Sequence, residues 1–131
     1  MIRMRGSWLG IVVAGVLAGC MPAPQPDGDR YLVFFDEFSA NLTPDAKKVV
    51  VEAAKRARET RSPWIRIEGR ASATGSPQAN DRLAETRVQV VADELQKDGL
   101  DPATFRQVYV GQTGSGDPSV AERRVDIVLE R

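Results

Sequence analysis

The stretch SPWIRIEGRASATGSPQANDRLAETRVQVVADELQKDG, residues 62–99, changes its hydrophobic period from two to 3.6 within one segment. Ser62-Pro63 ends whatever precedes it, because proline fixes its own φ and pushes the residue before it out of the α region. From Trp64 to Glu68, Ile65 and Ile67 alternate with Arg66 and Glu68, which predicts a strand with one buried face. The small residues from Gly69 to Gly75 predict a loop. Ser76-Pro77 then supplies an N-cap hydroxyl and a first-turn proline whose missing N–H costs nothing there. The helix is expected to run to about Asp98 and to stop at Gly99, a residue suited to the backbone that ends helices.

The same signals repeat on both sides. Upstream, Thr43-Pro44 is another N-cap and first-turn pair, and Val49, Val50, Ala53, Ala54 and Ala57 continue at helical spacing to about Glu59. Tyr31 to Phe35 is a short apolar, aromatic run that reads as a buried strand. Downstream, Phe105 to Val110 is expected as a third strand and Gly111 to Pro118 as a glycine-rich loop. Arg124 to Leu129, with Val125, Ile127 and Leu129 on one side, is the last strand. The order β-α-β-α-β-β over residues 31–131 predicts an α+β fold, two helices packed on one face of a small mixed sheet.

The second helix carries an anomaly. At about 100° per residue, Leu83, Val88, Val90, Val91 and Leu95 form one apolar arc. Asn80, Arg87 and Glu94, each seven residues apart, fall inside that arc. Solvation alone does not place a polar line on an apolar face. Two readings stay open: Arg87 snorkels past the core to a carboxylate such as Glu94, or Asn80 and Arg87 line a groove beside the Gly69–Gly75 loop. In the second, the planar guanidinium fork suits a ligand carboxylate.

The amino terminus has a different character. Arg3 and Arg5 precede an apolar run from Trp8 to Ala18, too short for a transmembrane helix of about 20 residues but of signal-peptide length. It ends in Leu17-Ala18-Gly19-Cys20, which resembles the lipobox of bacterial lipoproteins. That resemblance implies removal of residues 1–19, acylation of Cys20 and membrane attachment, with more than one chain making the anchor stable. Met21 after the cysteine implies an outer-membrane address. Residues 20–30, with three prolines, are expected as an extended tether.

Composition excludes several classes. The 18 basic and 18 acidic residues cancel, and no basic run suggests a nucleic-acid partner. Cys20 is the one cysteine, so no disulfide framework exists. Histidine is absent, which removes the commonest general base and leaves no cysteine–histidine zinc set. Gly114-Ser115-Gly116 lacks the wider spacing of a nucleophile elbow. The glycines Gly111, Gly114 and Gly116 follow a strand without opening a helix, so they are no phosphate cradle. No enzyme, metal or cofactor is expected.

Taken together, Val33-Phe34-Phe35-Asp36, Asn41-Leu42-Thr43-Pro44, Ile67-Glu68-Gly69, Thr74-Gly75, Asn80, Leu83, Arg87 and Glu122-Arg123-Arg124-Val125-Asp126-Ile127 resemble the OmpA-like domain of outer-membrane proteins and Pal-type lipoproteins. The resemblance spans nearly all of residues 31–131 and implies the same β-α-β-α-β-β fold. It also implies a non-catalytic grip on the diaminopimelate side chain of the peptidoglycan peptide stem. Arg87 matches the family's carboxylate-binding arginine, Asn80 a neighbouring polar contact, and Arg124 lies in the closing motif. Ser72 occupies the position of the family's ammonium-binding aspartate, and Arg70 replaces a histidine. A missing charge-assisted bond implies affinity lower by about ten- to a hundredfold. The implied binding set is Ser72, Thr74, Gly75, Asn80, Arg87 and Arg124. The alternative is an interaction module for other envelope proteins.

Overall fold

Both helices begin as the side chains dictate. In the computed structural model, which describes residues 29–71, 75–112 and 122–131, the Thr43 hydroxyl accepts the Ala46 N–H at 3.1 Å. Ser76 accepts from Ala79 at 3.2 Å. These caps open α1 (Pro44–Thr60) and α2 (Pro77–Lys97). Four strands, β1 (Asp29–Phe34), β2 (Trp64–Ala71), β3 (Phe105–Gln112) and β4 (Arg124–Glu130), complete the order β-α-β-α-β-β, with a 3-10 turn at Pro102–Thr104. The sheet order is β1-β4-β2-β3. β4 is antiparallel to both β1 and β2, whereas β3 runs parallel to β2 through the α2 crossover. This is the expected α+β, two-layer arrangement.

The core lies between the sheet and the helices. Val33, Ile65, Ile67, Val125, Ile127 and Leu129 face Val50, Ala53, Ala54, Val88, Val91 and Leu95. Alternation along β4 puts Val125, Ile127 and Leu129 under the helices and Arg124, Asp126 and Val128 on the opposite, open face.

Three details differ from the sequence reading. β1 starts at Asp29, inside the expected tether, where Asp29 is held by Arg56 of α1 at 2.6 Å. β2 continues through Gly69, Arg70 and Ala71, residues expected in the loop, with a register shift against β3 after Gly69. On α2 the buried contacts are Ala84, Val88, Val91, Ala92 and Leu95, while Leu83 and Val90 are only partly covered. Small residues win those positions because α2 lies close to β2. A Cβ at Gly69 would sit 2.5 Å from Val88 Cγ2 and 2.7 Å from the Ala84 carbonyl oxygen.

Candidate functional site

The polar line of α2 is buried. Asn80 and Arg87 are 5% and 1% exposed, although Arg87 carries a charge. Two helical turns separate them, about 10 Å along the axis. What receives Arg87 is the loop between β1 and α1. Its Nε donates to the Ser39 carbonyl at 2.8 Å and its Nη2 to the Asp36 carbonyl at 3.0 Å. The guanidinium also lies 5.2 Å from the centre of the Phe35 ring. Among the described residues no carboxylate pairs with it: Glu94, the sequence alternative, instead approaches Lys97 at 3.9 Å.

The loop is shaped for this. The Asp36 carbonyl also accepts the Ser39 N–H at 3.1 Å, closing a turn in which Phe38 takes a left-handed φ of 56°. That backbone is costly for a bulky residue. The turn aims two carbonyls at one edge of the guanidinium and leaves Nη1, on the other edge, buried without a partner.

Arg123 is a second cation on the same side. It immediately precedes β4, shares the inward parity of Val125, and its carbonyl accepts the Phe35 N–H at 3.0 Å. Its Nη1 is 3.7 Å from Glu37 Oε2, and its Nε is buried without a partner. Burial first, and the charge of Arg123 second, together lower the Arg87 pKa to about 10. Arg87 therefore remains a cation at neutral pH. Asn80 Nδ2 is likewise buried and unpartnered. Among the described residues, Arg87, Arg123 and Asn80 thus offer donors that await acceptors. Such a group of atoms fits an anion or a ligand rich in oxygen.

Of the binding residues implied by the sequence, Asn80 and Arg87 are brought onto one face of α2. Gly75 precedes the α2 cap at φ 94°. A Cβ there would meet nothing within 4 Å, so glycine serves the backbone angle and not a close approach. Arg124 is not brought to Arg87; it lies across the sheet, donating to Asp126 at 2.8 Å. Ser72, Thr74 and Cys20 lie outside the described residues. Arg70 projects to the open face too, 3.8 Å from Glu68, so its charge points away from the Arg87 side. Strand alternation lets only one of Arg123 and Arg124 face the groove, and the structure puts Arg123 there in place of Arg124. Sequence reasoning missed the Asp36 and Ser39 carbonyls, because backbone acceptors leave no mark in side-chain identity.

Comparison with known proteins fits this geometry. The model of the OmpA family matches residues 34–125. An outer membrane protein of Gluconacetobacter diazotrophicus is 32% identical over 119 residues, covering 82% of this chain. The chain spans only 31% of that protein's length. Among solved structures, the OmpA-like domain of FopA1 from Francisella tularensis superposes with a TM-score of 0.68 at 23% identity, covering 76% of this chain and 70% of that one. The peptidoglycan-associated lipoprotein of Burkholderia pseudomallei gives 0.66 at 24%, covering 75% and 88%. The periplasmic domain of Helicobacter pylori MotB gives 0.64 at 18%, covering 79% and 76%. The fold, the closing motif and the family match agree: this chain belongs to the OmpA family.

Proposed function

We propose that this chain is an outer-membrane lipoprotein, anchored through Cys20, whose non-catalytic domain binds the peptide stem of peptidoglycan from the periplasmic side. One observation carries the binding reading: Arg87 is gripped along one edge by the Asp36 and Ser39 carbonyls while its buried Nη1 has no partner. A carboxylate accepting from that free edge would neutralise a charge already removed from water. Charge-assisted bonds of this kind contribute about 1.5–3 kcal/mol. Arg123 and Asn80 supply further donors beside it. Ser72, Thr74 and Gly75 complete the ligand's surroundings in this reading, with Ser72 accepting a hydrogen bond where a carboxylate would hold an ammonium. The fold shared with a peptidoglycan-associated lipoprotein and the OmpA family match support the same reading.

Co-sedimentation with purified sacculi tests it. The wild-type domain is expected to pellet weakly, Arg87→Ala to remain in solution, and Ser72→Asp to pellet about ten- to a hundredfold more tightly through the added charge. Because Arg87 also secures the loop, circular dichroism must show Arg87→Ala folded. Failure of all three proteins to pellet would replace wall binding with an interaction module for envelope proteins.

A further inference from the structure

We propose that the open face of the sheet is a docking surface for an anionic phospholipid bilayer. Charge on this face is layered. Asp126 and Glu68 are direct partners across β4 and β2, with side chains only 0% and 9% exposed. Arg30 reaches Asp126 at 2.6 Å, Arg124 reaches its other oxygen at 2.8 Å, and Arg66 pairs with Glu68. Glu130, 27% exposed, joins Arg66 and Arg106. The arginine side chains overlying them are 21–51% exposed. Five guanidiniums, counting Arg70, therefore outnumber three carboxylates, two of which, Asp126 and Glu68, are set more deeply than any of them, and the layer met by a partner is cationic.

Large apolar groups lie in that same layer. Leu32 and Phe34 on β1 stand opposite Asp126 and Arg124, Trp64 opposite Glu130, and Val108 opposite Glu68. Their exposures are 37–42%, and Arg106 stacks over Trp64 at 4.2 Å. Guanidiniums for phosphate oxygens beside tryptophan and aliphatic side chains form an interfacial membrane-binding composition. On α2, exposed Asp81, Glu85 and Asp93 lie four and then eight residues apart, and on α1 exposed cations and acids are interspersed. What favours approach of an anionic bilayer by the sheet is that its cationic layer also carries large apolar groups. The chain joins the sheet at Asp29, nine residues after Cys20. A fully extended segment of that length spans at most about 30 Å, so an anchored domain stays within reach of the surface. The proximity rests on the Cys20 reading, whereas the chemistry of the face does not.

The test uses residues 20–131 with Cys20→Ser, which keeps every described core residue and leaves Trp64 as the lone tryptophan. Vesicles of phosphatidylcholine alone, or of equal parts phosphatidylcholine and phosphatidylglycerol, are the probes. Flotation with the anionic vesicles and a blue shift of Trp64 emission are expected, with neither on the neutral ones. Arg106→Glu should weaken partitioning about thirtyfold, from two charge units at roughly 1 kcal/mol each. Lys47→Glu on α1, an equal charge change, should leave it nearly unaltered. Sacculus binding should survive Arg106→Glu, and vesicle binding should survive Arg87→Ala, which separates this surface from the wall site. No flotation, or equal losses from the two glutamate variants, would overturn the proposal. So would binding to polyglutamate without binding to vesicles, which would assign the face to an acidic protein.

Discussion

Gly69 has no room for even one methyl group, since a Cβ would meet backbone as well as the Val88 side chain. Gly69→Ala should therefore lower stability by roughly 1–3 kcal/mol, the usual cost of overpacking, measured by urea unfolding. A helix pushed outward at Gly69 would also displace Arg87, which lies between the contacting residues Ala84 and Val88 in the sequence, so sacculus binding should fall with stability. The two arginines before β4 make a contrasting pair. Arg123→Gln should weaken sacculus binding because its Nε lies on the Arg87 side, whereas Arg124→Ala should leave binding unchanged while leaving the buried Asp126 carboxylate to Arg30. A result with the roles exchanged would reassign the site to the open face. That distinction was legible in the alternation of Val125, Ile127 and Leu129, which fixes the side of every odd residue preceding them. The Asp36 and Ser39 acceptors were not legible, because a carbonyl is present at every residue and only the turn geometry selects two of them.

Helices were easier to read than strands. Thr43 and Ser76 each cap through a side-chain oxygen, and alanine at either should cost about 1 kcal/mol, seen as a lower unfolding midpoint without loss of cooperativity. The far end of α2 makes a pH-dependent prediction. Burial, then Glu94, raises the Asp98 pKa, and its Oδ2 is buried without a partner. A raised carboxylate pKa means that the folded chain binds the proton more tightly than the unfolded one, so this residue's contribution to stability falls as pH rises through the carboxylate range. Its negative charge at a helix carboxyl end is also unfavourable. Asp98→Asn should thus stabilise the protein by a few tenths of a kcal/mol at pH near 7, with the gain shrinking in acid; thermal melts at both pH values check this. The end of β2 escaped the sequence reading because Gly69-Arg70-Ala71 contains no β-branched or aromatic residue. Gly69 pairs with both β3 and β4, and Arg70 and Ala71 pair with β3, which imposes the extended backbone there. Leu83 and Val90 misled for a related reason: the close helix–sheet approach rewards Ala84 and Ala92 over larger side chains.

At the scale of the whole molecule, the last strand holds the middle of the sheet. β4 is the neighbour of both β1 and β2, and β1 pairs with nothing else in the sheet. Ending the chain before Arg124 should therefore abolish the cooperative thermal transition, since β1 loses its hydrogen-bonded neighbour and Val125, Ile127 and Leu129 leave the core. Circular dichroism would show this directly, and a sharp melt in the shortened chain would contradict it. Element order and fold class were readable from periodicity and caps, but strand order was not, because alternation reports a buried face and never the neighbour. The placement has a temporal consequence. Synthesis delivers the seven residues of β4 after the other described elements, so the two halves of the sheet have no common seam until it arrives. A chain threaded head first through a narrow pore would keep this sheet open until β4 had passed, and only then would it zip shut.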